Sequence, residues 1–287
     1  MTTIVGVHGV GNYRHVARAG SVQAAADAVS ARWAGALREG AAGLGTAPSP
    51  PSDLRVAYYA HLLHRGTPQG LDDVEFLDDD AQDLLVDWVD QLAPAGVPQG
   101  GRTARARAAG DWLVDHLGDQ ALGLALTFVR EASTYFRSDT RRQRVRDAVA
   151  QAFALNEPRI VVAHSLGTVV AYETLWQHPE LSVDLLVTLG SPLAMRGAVF
   201  DRLEPKPARA RGECPPGVSV WANLADVGDI VAIPRDGLAP HFAGVTLDNP
   251  AIVIGKSAFH SVTHYLAARE TATVVAPWVI RLSRHRA

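Results

Sequence analysis

A run of β-branched residues, Ile160-Val161-Val162, ends abruptly at Ala163-His164-Ser165-Leu166-Gly167. A helical pattern follows at once, through Thr168, Val169, Val170, Ala171, Tyr172 and Leu175. A buried strand that turns this sharply into a helix leaves the backbone few options. The positions two before and two after Ser165 must be small for the turn to close, and they hold Ala163 and Gly167. The usual form has glycine at both, so Ala163 departs from it by one methyl group. Such a turn lifts a serine Oγ clear of the end of a sheet. The same residues also fit a strand that ends at a solvated serine capping a helix, so the rest of the chain has to decide between the two.

Further strands are expected at about 3–8, 54–59, 159–163, 184–189 and 218–224, with helices at 21–39, 141–155, 167–178 and 268–284. Strands alternating with helices predict an α/β protein, a mostly parallel sheet with helices on both faces. A chain of 287 residues with 47% hydrophobic content suffices for one large core, so residues 1–287 are expected to form a single domain. Gly40 to Asp53 and the prolines at 205, 207, 215 and 216 mark loops. The segment at about 61–139 has no strand signal. It begins loop-like through Leu62 to Asp79. Amphipathic helices are then expected over Ala81–Val89, Asp111–Leu117 and Ala121–Phe136, forming an inserted helical cap. The acidic run Asp72–Asp83 and the basic runs Arg102–Arg107 and Arg137–Arg146 read as solvated faces.

A serine at neutral pH is a weak nucleophile. It needs a base, an acid that orients the base, and N–H donors for a developing oxyanion. Candidates for each are present. The first strand, Thr3 to Val7, runs into His8-Gly9-Val10-Gly11-Asn12. Lacking Gly-Lys-Ser/Thr, this turn is not a Walker-type phosphate loop. Lacking a third glycine in register and an acidic residue after the second strand, it is not a dinucleotide loop either. The strand Val218 to Leu224 ends at two carboxylates, Asp226 and Asp229. Asp226 could instead hold the turn through its own backbone. The segment Phe259-His260-Ser261-Val262-Thr263-His264-Tyr265-Leu266 offers two histidines. His8 and His164, which flank the glycine turn and Ser165, read as groups that orient backbone.

Oxyanion loop, serine, acid and histidine occur in the chain order of the α/β-hydrolase superfamily, and the sequence resembles its lipase and esterase side. The resemblance covers the chain except the middle insertion. It implies an α/β-hydrolase fold in which Ser165 is the nucleophile. The His-Ser-x-x-x-Tyr-Leu pattern resembles the histidine loop of lipases and implies His260 as base. The Asp-x-Val segment near Pro234 resembles the lipase acid loop and, with a partial similarity to intracellular phospholipases of the DDHD type, implies Asp229 over Asp226. The His-Gly turn implies the Val10 N–H as one oxyanion donor and Leu166 N–H as the other. Leu189-Gly190-Ser191-Pro192 resembles the Gly-Ser-Pro strand ending of lipases. In such proteins the insertion covers the serine, so Trp88, Trp112, Phe128, Tyr135 and Phe136 are expected to wall an apolar acyl pocket. The implied activity is cleavage of a small-molecule or lipid-like acyl ester. Thioesterase, acyltransferase or peptidase activity, and a silent hydrolase fold used for binding, are the alternatives.

A net charge of −3 gives no reason to expect a nucleic-acid partner. No apolar run approaches the length of a membrane span. The lone Cys214 cannot form an internal disulfide, and no charged segment followed by an apolar one opens the chain, so a cytoplasmic location is expected. No cysteine pair or His-Glu-x-x-His is present, and no cofactor or metal is assigned.

Overall fold

The computed structural model describes residues 4–44, 53–64, 74–255 and 260–284. Its strands are β1 (Ile4–Val7), β2 (Leu54–Ala57), β3 (Ile160–His164), β4 (Val183–Leu189), β5 (Gly212–Glu213), β6 (Val218–Asp226), β7 (Phe242–Ala243) and β8 (Val245–Ile252). Six of these form a central sheet in the order β2-β1-β3-β4-β6-β8, and every neighbouring pair is parallel. From β1 to β6 the register places Val7 opposite Ala163, Ala163 opposite Thr188, and Thr188 opposite Asn223, and it shifts twice between β6 and β8. β5 and β7 pair separately.

The helices are α1 (Tyr13–Ala19), α2 (Val22–Ala42), α3 (Ala60–Leu63), α4 (Asp79–Leu92), α5 (Arg102–Leu117), α6 (Asp119–Arg137), α7 (Asp139–Asn156), α8 (Leu166–Gln177), α9 (Val262–Ala267) and α10 (Arg269–Arg284). Alternate residues of each strand point to opposite faces, and both faces are apolar, as a parallel sheet covered on two sides requires. Val5, Val7, Val161, Ala163, Leu186 and Trp221 share one core with α4 to α8. Ile4, Ile160, Val162, Val187 and Leu224 share another with α2, α9 and α10. Local chemistry sets the helix starts. Ser21 Oγ accepts from Ala24 N–H at 3.1 Å and Asp78 Oδ1 from Ala81 N–H at 2.9 Å.

The strand order reverses between β1 and β3: the chain leaves β1 for β2 on one side, then returns across β1 to β3. Loops after the two strands therefore diverge and leave a crevice at their carboxyl ends, where open parallel sheets bind ligands. The His8-to-Asn12 turn and Ser165 both lie there.

Several elements differ from the sequence expectation. β8 carries Asp248, Asn249 and Pro250 and is half-exposed at the sheet edge, so it lacks the apolar signature that betrays a central strand. α1 buries no residue and shows no apolar stripe. α5 begins at Arg102, so the first basic run forms helix turns. The expected helices at 141–155 and 268–284 correspond to α7 and α10. Parts of the loops expected at Gly40–Asp53 and Leu62–Asp79, and of the acidic run Asp72–Asp83, lie outside the described residues.

The insertion does not wall the pocket with aromatics. Trp88, Phe128 and Tyr135 are fully buried in the α4–α8 core, and Trp88 and Phe128 meet edge to face at 5.1 Å. These rings bury apolar surface between the inserted helices and in the core they share with the sheet. The second basic run is also not wholly solvated. Arg142 and Arg146 are buried on α7 beside Glu173 of α8, whose side chain has no exposed surface. Arg142 Nε donates to Glu173 Oε2 at 2.9 Å, Tyr135 O–H donates to the same oxygen at 2.7 Å, and Glu204 pairs with both arginines. Three helices are locked by one buried carboxylate.

Removing one partner of such a cluster leaves charge buried without compensation. Glu173→Ala should cost about 3–5 kcal/mol, read as a lower urea midpoint. A variant with the midpoint of the wild type would show the cluster to be energetically idle.

Candidate functional site

Ser165 stands between β3 and α8 with φ 56° and ψ −134°, a conformation costly for a side-chain-bearing residue, of order 1–3 kcal/mol. Neighbours fix it there. Ser165 N–H donates to Leu189 O at 3.0 Å, and Thr168 N–H and Oγ1 donate to Ser165 O at 2.9 and 2.7 Å. The turn from β1 crosses directly over it. A Cβ on Gly9 would lie 2.5 Å from Ser165 Cβ, and one on Gly167 would overlap the carbonyl oxygens of Val7 and His8. These two glycines allow the close approach. The Ser165 side chain makes no helix-capping bond, so it is not the solvated cap that the sequence alone also permitted.

Its Oγ lies 2.8 Å from His260 Nε2 instead. His260 Nδ1 faces both oxygens of Asp229, at 2.9 and 2.8 Å. A carboxylate only accepts, so Nδ1 carries the proton and Nε2 is free to accept from the serine hydroxyl. Asp229 is wholly buried. Its Oδ1 also accepts from Val231 N–H at 2.8 Å and its Oδ2 from Tyr265 O–H at 2.7 Å. Asp226 does not reach the histidine. It takes Gly228 N–H and Ile254 N–H, both at 2.8 Å, and so holds the turn. His264 is exposed on α9 and meets Ser261 Oγ at 2.9 Å, away from the serine.

Three groups support the acid and the base in ways the sequence does not indicate. The Tyr265 hydroxyl, while donating to the Asp229 carboxylate, accepts the Asp226 main-chain N–H at 2.7 Å, so one buried group ties Asp229 to the backbone at the end of β6. Burial, then the Asp229 charge, pushes its pKa far up, and it remains a phenol donor. Trp88 Nε1 of α4 donates to Ile230 O at 2.7 Å, bracing the loop next to Asp229. Gly190 has φ 53°, and a Cβ there would lie 2.6 Å from Asp229 Oδ2 and 3.2 Å from His260 Nδ1. Tyr265 and Gly190 lie within the His-Ser-x-x-x-Tyr-Leu and Gly-Ser-Pro patterns; Trp88, expected at the pocket wall, braces the acid loop instead, through a main-chain carbonyl distant in sequence.

Among the described residues, neither the Val10 nor the Leu166 amide donates a hydrogen bond. Leu166 opens α8, where amides lack intrahelical acceptors. The Val10 loop is held from below. Asn12 Nδ2 donates to Gly9 O at 2.9 Å and Val10 O at 3.2 Å, and Gly11 N–H donates to Glu131 Oε1 at 2.9 Å. His8 Nδ1 donates to Gly9 O at 2.8 Å, its Nε2 accepts Tyr59 N–H at 3.1 Å, and Tyr59 O–H donates to His8 O. Burial lowers the His8 pKa to about 4, and burial together with nearby His260 holds His164 well below the ordinary value. Both rings are neutral structural groups near pH 7.

Ser165 and His260 close the floor of a cleft of about 540 Å³ between the His8–Asn12 turn, α1, α2 and the start of α6. Of the described residues of the insertion, Gln120 and Leu124 line it. An imidazole held between a hydroxyl and a carboxylate can take the hydroxyl proton and carry the resulting charge. Among the described residues no group of three or more His, Cys, Asp or Glu is placed to hold a metal ion, and no helix is long and apolar enough to cross a membrane. No protein-family model, curated protein or solved structure matches the chain significantly.

Burial raises the Glu131 carboxyl to about 7, against the lowering pull of Gly11 N–H. Between its ordinary 4.5 and about 7 the folded state keeps a proton that the unfolded chain releases, so this group makes stability fall as pH rises through that window. His8 acts oppositely, since stability is lost as pH falls from 6.5 toward 4. Glu131→Gln should therefore raise Tm at pH 7.5 and have little effect near pH 4.5, a difference on the order of 3 kcal/mol. A melting profile parallel to the wild type across this range would contradict it.

Proposed function

We propose that this protein is a serine hydrolase of the α/β-hydrolase fold that cleaves carboxylic esters through an acyl-enzyme. The observation that carries the reading is the unbroken hydrogen-bonded line from Ser165 Oγ through His260 to buried Asp229, built on a strained strand-to-helix turn. The chain order supports it too: glycine turn, serine, acid and histidine follow as in that fold. The single cysteine fits a cytoplasmic enzyme.

In the proposed reaction Ser165 Oγ attacks the ester carbonyl carbon as His260 Nε2 takes its proton. The Val10 and Leu166 amides hold the oxyanion. Collapse breaks the carbon–oxygen bond to the alcohol, which receives the proton from His260. Water then repeats the sequence: His260 takes a proton from it, the hydroxide oxygen bonds to the acyl carbon, and the acid leaves as the proton returns to Ser165. Asp229 keeps the proton on Nδ1 in the resting state and stabilises the imidazolium. Tyr265 and Trp88 position Asp229 and its loop.

Intact-protein mass after a fluorophosphonate probe tests this. A single adduct is expected on the wild type and none on Ser165→Ala. Asp229→Asn should fold normally and lose about 10⁴-fold in kcat on an activated ester. An unlabelled wild-type protein would overturn the reading in favour of a silent fold used for binding.

A further inference from the structure

The cleft carries uncompensated positive charge among the described residues of its lining. Arg14 and His15 on α1 and Arg32 on α2 line it together with Ser165 and His260, and its lining contains no aspartate or glutamate among the described residues. Both arginines are exposed, and among the described residues neither forms an ion pair or hydrogen bond. Several surface arginines of this protein are paired, Arg55 with Asp27 and Asp53, Arg102 with Asp79 and Asp83, Arg159 with Asp184. What sets Arg14 and Arg32 apart is that both line the cleft that holds Ser165 and His260. The groups are also close enough to act together. His15 is held below its ordinary pKa by partial burial first and then by the positive charges of Arg14, Arg32 and Arg18, so it is a neutral donor or acceptor beside two permanent cations. The same cleft also has an apolar lining, with Val29 and Trp33 beside Arg32 on α2, Leu124 on α6 and Val262 on α9.

We propose that the ester substrate carries an anionic group, a carboxylate or a phosphate, which Arg14 and Arg32 bind while the apolar wall takes the hydrocarbon part. This rests on the hydrolase reading for the reaction, although the binding of the anion does not require turnover. A guanidinium offers a planar fork that matches either anion, and two of them with no internal carboxylate lose nothing by engaging a ligand. A cleft lined by one sign of charge also concentrates oppositely charged substrate.

The test uses two matched pairs: p-nitrophenyl butyrate against mono-p-nitrophenyl glutarate, with the anion on the acyl side, and 1-butanoylglycerol against its 3-phosphate, with the anion on the alcohol side. In at least one pair the anionic ester should have about a tenfold higher kcat/KM at low salt, and the pair that responds identifies which side carries the charge. The ratio should fall toward one in the Arg14→Ala/Arg32→Ala double variant and as sodium chloride is raised, because exposed charges are screened within about 10 Å at 0.1 M salt. Equal rates in both pairs, or a preference that survives the double substitution, would overturn the proposal. Calorimetric titration of Ser165→Ala with the glutarate ester and with the phosphate ester reads binding without chemistry. Saturable binding of either one, lost in the triple variant, supports the anion site even if the fluorophosphonate fails to label Ser165. No binding of either ester overturns it even if labelling succeeds.

Discussion

The backbone of Ser165 is held where a side-chain-bearing residue resists going, and the surrounding structure is arranged around that fact. A positive φ persists only when several contacts over-determine it. Here β1 and its loop press from one side through Gly9, α8 presses through Gly167, and Leu189 O and Thr168 anchor the peptide groups. The registers of β1, β3 and β4 set these positions, so the strain rests on the whole parallel sheet and on both apolar layers that cover it. With Oγ projected from this turn, the histidine loop after β8 has only to bring one ring to it.

The two carboxylates after β6 have distinct tasks through their environments. Asp226 spends its oxygens on the amides of Gly228 and Ile254 and fixes the turn. That leaves Asp229 to face the imidazole with Tyr265 and the amides of Val231 and Ala232 as its remaining donors. Trp88 extends this support into the inserted helices, which therefore stabilise the acid loop from behind. A buried anion with this many donors keeps one geometry, and the imidazole tautomer follows from it.

Charge is graded from inside to outside. His8 and His164 are buried and neutral beneath the turn, so the amides of the His8–Asn12 loop and of α8 are the electropositive groups nearest Ser165. Among the described residues that line the cleft, full positive charge is carried by Arg14 and Arg32. The buried Arg142–Glu173–Arg146 cluster lies between α6, α7 and α8 and also holds Glu204 and the Arg202 carbonyl.

Patterns confined to a few neighbouring residues were legible in the sequence. The central strands show as continuous apolar runs because both faces of a parallel sheet are buried. The Ala163-to-Gly167 turn shows because steric closure dictates small residues at fixed spacing, and the larger helices show because their apolar periodicity is local. Elements without such a demand stayed hidden: β8 sits half-exposed at an edge, and α1 buries nothing. Which of Asp226 and Asp229 meets His260, whether Arg142 is solvated, and what Trp88 touches could be decided only in three dimensions. Each depends on partners far apart along the chain, and on direction: a residue's spacing fixes the face it occupies, while the packing of distant elements fixes what it meets there.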